Sequence, residues 1–302
     1  FLSTSLGNSA ELLEESKYTP PPFADTSSDK SSLILCFSIN LFQKNDSLMI
    51  QLINILKSLH IIKDTDKNPR RTINYQESYS NDTNSISTII SMNLTLPSNV
   101  TLDSLKLEIK RQISPSCTLL SSLFLSKTKF LAERHSESLT FQYYIPISIL
   151  KIDDKFNIFS IRSICAKFEG SFQFLNFKLK NSKKSKIRTI QKFTTSNIIQ
   201  ISNIDFIFIE INIRDPFKDL IEKIINLFVL AINHKIKEEK IKNYLDFQMN
   251  LIAKASSNPL VLVESSYANI QKSMKNKYDF TFSDCSLAKS QKLEEFKVQI
   301  AN

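Results

Sequence analysis

The chain has 302 residues and 42% apolar side chains, 22 of them Phe. That is enough for about two domains or one bilobal unit around a buried core, and it excludes wholesale disorder. Only two glycines occur, Gly7 and Gly170, which excludes Gly-rich phosphate loops; four scattered cysteines without a CxxC and three scattered histidines point away from a zinc ribbon, a dense disulfide framework or a His-rich metal site. The net charge of +9 directs attention to polyanionic partners, nucleic acid before membrane.

Residues 1–31 are Ser-, Pro- and acid-rich with a Pro20-Pro21-Pro22 run, and read as an extended tail. This tail holds five acids and two lysines, a net −3 against the total of +9, which leaves +12 on the rest. Ser32–Ile39 reads as a strand. Ser47–Ile62 has helical spacing, with Leu48, Ile50, Leu52, Ile53, Ile55, Leu56 and Leu59 on one broad face. Lys63–Asn84 reads as a polar loop and Ile86–Leu96 as a strand ending at Pro97. Thr101–Ile113 reads as an amphipathic helix capped by Thr101 or Asp103. Thr118–Phe130 and Leu139–Pro146 are strands, and Ile161–Phe168 is a helix leading to Gly170. Thr189–Ile201 and Asp205–Ile213 form a strand pair, the second alternating Phe206 and Phe208 with Ile207 and Ile209. Pro216–Ile236 is the strongest helix, with Pro at its start, and Leu260–Val263 is a closing strand. After Glu264 the chain turns polar and Lys-rich, as a tail or peripheral helix.

Helices and strands mix without strict βαβ alternation, which predicts an α+β fold with mixed or antiparallel sheets backed by helices. The division expected is a tail at 1–31, an N-terminal lobe at 32–150, a C-terminal lobe at 151–264 and a C-terminal tail or peripheral helix at 265–302. No apolar run approaches the ~20 residues a membrane-spanning helix needs. Phe1 in place of Met gives the expectation of a processed or truncated chain, for example one that has lost an organellar presequence.

Five blocks, in order and spacing, resemble the eukaryotic branch of the tRNA pseudouridine synthase A family. Ile89-Ile90-Ser91-Met92-Asn93-Leu94, with Pro97 after it, is similar to the family strand V-V-S-L-K-M. Phe130-Leu131-Ala132-Glu133 and Ser138 to Pro146 are similar to F-N-A-K and S-R-T-Y-x-Y-x-x-P. Phe168-Glu169-Gly170-Ser171-Phe172-Gln173-Phe174-Leu175-Asn176-Phe177 resembles F-x-G-T-H-N-F-x-N-F. The helix from Phe217 to Ile232 resembles F-M-x-H-Q-I-R-K-M-V-G. Lys254-Ala255 with Leu260 to Glu264 resembles K-A-P-G-L-G-L-V-L-E.

The resemblance implies a two-lobed fold with a basic cleft. It also implies a cofactor-free and metal-free isomerisation of uridine flipped out of RNA, in which an Asp attacks, a Tyr stacks on the base and an Arg holds the carboxylate ionised. This chain departs from that set. Counting back from Ser91 without gaps puts Ser80 at the Asp position, and Asp82 aligns only through a two-residue deletion. Asn81-Asp82-Thr83 also reads as an ordinary Asx turn. The Tyr position is Phe141, which keeps a π-face or is simply core. The neighbouring Arg is Leu139. The helix Arg is Lys223, which lacks the planar fork and also reads as a solvated helix residue.

What survives the loss of these groups is a basic surface. Lys178, Lys180, Lys183, Lys184, Lys186 and Arg188 form one expected loop that can neutralise phosphates, with Arg70 and Arg71 as a second pair. A solvated loop in a Lys-rich chain is the alternative, since abundant Lys, Asn, Ile and Phe is what AT-rich coding produces. Three functions are therefore weighed. The first is a catalytically inactive RNA-binding subunit of a ribonucleoprotein such as a mitochondrial ribosome, bound to rRNA or tRNA and to other subunits. The second is an active tRNA pseudouridine synthase with Asp82 as nucleophile. The third is a protein-binding adaptor. The mitochondrion is the compartment expected, with nucleus or cytoplasm as alternatives.

Overall fold

A computed structural model describes residues 31–39, 48–79, 83–113, 115, 117–125, 130–150, 158–177, 187–217, 219–247, 252–278 and 286–301. In chain order the strands are β1 (Ser31–Ile39), β2 (Gln76–Glu77), β3 (Asn84–Leu94), β4 (Cys117–Leu125), β5 (Ser138–Pro146), β6 (Gly170–Phe172), β7 (Arg188–Thr195), β8 (Ile199–Ile201), β9 (Ile204–Ile213) and β10 (Leu260–Ser266). The helices are α1 (Leu48–Ser58), α2 (Pro69–Thr72), α3 (Leu102–Gln112), α4 (Ala132–His135), α5 (Ile158–Ala166), α6 (Leu220–Ile232), α7 (Ile241–Asp246), α8 (Ala268–Tyr278) and α9 (Ser286–Ala301).

The strands form one ten-stranded mixed sheet in the order β4-β1-β3-β10-β5-β9-β7-β6, with β2 added to β3 and β8 to β9. The α+β class holds, with helices backing one large sheet. Two halves repeat one connectivity. β1-α1-β2-β3-α3-β4 and β5-α5-β7-β9-α6-β10 are each βαββαβ, and each places its fourth strand beside its first and its first beside its third. The halves join where β3 and β10 run parallel, Asn84 and Ser85 opposite Val261 and Leu262; the other pairings are antiparallel.

Both sheet faces are covered. Leu33, Leu35 and Phe37 of β1 pack under α1 and α3 with Ile90 and Met92. Phe141, Tyr143, Ile209 and Ile211 pack under α5 and α6. On the opposite face Ile34, Cys36 and Ile89 meet Tyr267 and α8, and Tyr144, Phe206 and Val261 meet Phe296 of α9. Coverage on both sides explains why β1 and β10 read as unbroken apolar runs rather than alternating ones. A register shift between Phe37 and Ile39 against β3 changes which of its residues face the helices. Buried Ser85, Ser87 and Ser91 sit in the same strand.

Local chemistry sets the ends. The α3 start is a reciprocal cap: the Ser104 amide donates to Thr101 Oγ1 at 3.1 Å and the Thr101 amide to Ser104 Oγ at 3.0 Å. α6 begins at Leu220 rather than Pro216 because Asp215 and Asp219 take left-handed φ of 50° and 64°, which breaks the helical run. It ends at Ile232 because His234, at φ 54°, occupies the position glycine usually fills. The polar stretch 63–84 contains α2 and β2, elements too short to leave a periodic signal. The strand expected to reach Phe130 ends at Leu125. The expected C-terminal segment from 265 holds the end of β10 and both α8 and α9. The Pro-rich tail, residues 1–31, lies outside the described residues apart from Ser31.

Candidate functional site

The two halves meet at a polar seam. β2 pairs β3 at Ile90 and Ser91, on the edge that β10 pairs at Asn84 and Ser85, and hydroxyls fill the opening between the two pairings. Ser265 Oγ donates to Ser78 Oγ at 3.0 Å and lies 3.3 Å from the Ser87 carbonyl, while the Ile89 amide donates to Ser78 Oγ at 3.2 Å. Asn84 Nδ2 donates to the Asn258 carbonyl at 3.1 Å and so ties the start of β3 to the approach to β10. These groups are buried and paired, which is the condition for polar side chains to hold a strand junction together.

Next to this seam, the Tyr79 ring meets the Phe141 ring edge-on, with centroids 4.8 Å apart and planes at 70°. Phe141 is 0% exposed, with Ile211 and Leu262 directly opposite it on the neighbouring strands. Its face is therefore occupied by the protein's own side chains. Leu139 is also buried. Tyr143 points to the same face. Burial pushes its hydroxyl up to about 12, and the negative charge of Glu222 adds to the shift. Glu222 itself is 5% exposed on α6, and its carbonyl accepts from the Ala255 amide at 3.1 Å. Lys223 Nζ donates to the Phe177 carbonyl at 2.8 Å. That bond fastens α6 to the end of the Phe172–Phe177 segment and gives Lys223 a structural partner.

This Phe172–Phe177 segment is held tightly. Phe174 adopts φ 51°, rare for a bulky side chain, and is fully buried. Its amide donates to the Leu245 carbonyl at 2.8 Å, and Asn176 Nδ2 donates to the Tyr244 carbonyl at 2.7 Å. The block therefore serves to clamp α7.

Among the basic candidates, Arg188 sits 4.9 Å over the Phe217 ring and its Nε donates to the Asp215 carbonyl at 2.8 Å. Burial lowers its pKa while the charge of Asp215 opposes that shift. Arg70 lies 5.9 Å over Tyr75, and Arg71 is exposed on α2. No described contact joins Arg70 or Arg71 to Phe141, Lys223 or Arg188. Asp82, Lys178, Lys180, Lys183, Lys184 and Lys186 lie outside the described residues. Among the described residues no group of three His, Cys, Asp or Glu side chains could hold a metal ion, and no helix is long and apolar enough to cross a membrane.

Two features were not singled out from sequence. Tyr79 lies in a stretch whose polarity hides it. Glu222 is the one acid of α6, and it stands one position before Lys223, the residue aligned with the family Arg.

No family model matches the chain, and no curated protein matches it. Among solved structures it is similar to an unknown protein from Galdieria sulphuraria, at 9% identity and a TM-score of 0.22, over 70% of this chain and 93% of that one. A likeness at that level carries no inference about fold or function.

Proposed function

We propose that this chain is a pseudouridine-synthase-like RNA-binding protein that no longer isomerises uridine. It acts as a structural or assembly subunit of a ribonucleoprotein such as a mitochondrial ribosome. The observation that carries the reading is Phe141. At the position where the resemblance requires a ring open to a flipped uracil, the ring is 0% exposed and Tyr79 lies edge-on against it. A base needs one free aromatic face to stack, and this one has none.

Three further observations support the reading. Two βαββαβ halves sharing one sheet suit the two-lobed fold expected from the resemblance. Lys223 is engaged with a backbone carbonyl and Leu139 is apolar, so neither aligned position offers a guanidinium to a carboxylate. A net charge of +12 beyond residue 31, with six basic residues between Lys178 and Arg188, suits a phosphate backbone.

The test uses the purified full chain and an unmodified tRNA transcript. The expected result is binding whose affinity falls steeply with salt, and no pseudouridine in the product digest. Pseudouridine that disappears in Asp82→Ala would establish the enzyme instead. Failure to retain any RNA at low salt would leave the protein-binding adaptor.

A further inference from the structure

The sheet face turned away from α5 and α6 has a second feature. In the half built on β5, α5, β7, β9, α6 and β10, the two central strands are β5 and β9. On that face β5 carries Tyr144, and β9 carries Phe206 and Phe208 two residues apart. The Tyr144 and Phe208 centroids are 5.5 Å apart, with planes tilted by 44°. One aromatic on the first strand and two on the third, on the face of a βαββαβ sheet opposite its two helices, is the arrangement on which such domains stack two or three bases of single-stranded RNA; here Tyr144 and Phe206 are buried beneath α9.

Polar groups continue the face beyond the rings. The Tyr144 hydroxyl donates to Gln142 Oε1 at 2.9 Å, Gln142 Nε2 donates to Glu210 Oε2 at 3.2 Å, and Lys192 Nζ pairs with Glu210 Oε1 at 2.7 Å. Amide, carboxylate and ammonium groups in one row beside aromatic rings are what the edges of stacked bases require.

α9 lies across these rings. Its Phe296 ring meets Tyr144 edge-on, with centroids 5.8 Å apart and planes at 63°, and so covers the ring. Phe296 is the one buried side chain among the described residues of α9; Leu293 and Ile300 are partly buried and Val298 is 51% exposed. Two of the helix's ion pairs, Lys292 with Glu295 and Lys297 with Glu294, close within the helix and do not tie it to the sheet.

We infer that this face is an RNA site masked by its own C-terminal helix: single-stranded RNA stacks on Tyr144, Phe206 and Phe208 once α9 is displaced. The inference rests on the proposed RNA-binding function and places part of that binding on a surface away from the Phe141 seam.

The test measures binding of a fluorescent 12-nucleotide oligouridylate to the full chain at moderate salt, with hydrogen exchange reporting on α9. Phe296→Glu is expected to loosen α9 and tighten binding at least tenfold, the size of one base stack. Adding Phe208→Ala should remove that gain. Leu293→Ser, which trims a second α9 side chain packed on this cluster and leaves all three stacking rings in place, is the variant read if Phe296→Glu does not fold. Unchanged affinity with α9 released overturns the inference. If the unaltered chain binds RNA with a steep salt dependence and the variants add nothing, the inference fails alone. If the unaltered chain and the variants all bind no RNA at low salt, the proposed function fails with it.

Discussion

Replacing Phe141 by Tyr adds one oxygen at the position where the synthase chemistry needs a tyrosine, and the structure gives a definite expectation. The ring packs among Tyr79, Ile211 and Leu262, and the residue has no exposed area. Ile211 and Leu262 are apolar and offer an added hydroxyl no hydrogen-bond partner. A hydroxyl buried there without a partner costs about 1–3 kcal/mol, and forcing an extra heavy atom into a filled core adds about 1–3 kcal/mol. At roughly 2–4 °C of melting temperature per kcal/mol, the summed cost of about 2–6 kcal/mol should make Phe141→Tyr melt about 4–24 °C lower. Thermal unfolding followed by circular dichroism reads this directly, with a tRNA isomerisation assay run on the same sample. An unchanged melting temperature together with newly gained pseudouridine formation would refute the reasoning, because it would mean the position opens to a base.

Other expectations follow from the same structure. Neutralising Lys183, Lys184 and Lys186 together should flatten the log–log salt dependence of RNA binding by about 2, the contribution of roughly three phosphate contacts to a single strand. Asp82→Ala should leave RNA affinity unchanged in a filter-binding titration. Alkaline titration should show a loss of stability above about pH 9. Burial, helped by Glu169, pushes the Cys165 thiol up to about 12, and burial pushes the Tyr143 hydroxyl to about 12. The unfolded chain ionises both groups at lower pH, so folding stability is intact below their ordinary pKa values and declines as pH rises through the folded ones. Buried Cys36, Cys117 and Cys165 should resist a thiol-specific disulfide reagent until the protein is denatured. Gly170→Ala should be destabilised by roughly 1–3 kcal/mol in urea, since Gly170 adopts φ 130° and an added Cβ would stand 3.3 Å from the Phe172 ring.

The main strands were legible because the residues that build them are dense in β-branched and aromatic side chains. Ser32–Ile39, Leu139–Pro146 and Asp205–Ile213 match β1, β5 and β9 to within a residue. The single sheet was not legible. It depends on two residues of β3 finding two of β10 some 177 positions away, a pairing that no local pattern encodes. α9 fits a tail or peripheral helix in sequence because its apolar stripe is short: Leu293, Phe296 and Ile300 at i, i+3 and i+7 pack toward the sheet, but Lys and Glu residues surround them and Val298 lies outside the stripe. At the candidate site, sequence supplied Phe141 and Lys223 as alignment positions but left open whether each is a site or a structural residue. Packing supplied what sequence lacked: Tyr79 against one and the Phe177 carbonyl on the other. The Phe206 and Phe208 alternation was visible as a strand signal. Its meaning as a stacking pair emerges only once β9 is seen beside β5.

The central claim is association with RNA in a particle. Sedimentation of the native protein from its own cells, at moderate salt with and without ribonuclease, tests it most directly. Migration with a large particle that ribonuclease disperses is the expected result. Migration as a free 34.7 kDa species, unaffected by ribonuclease, would contradict it.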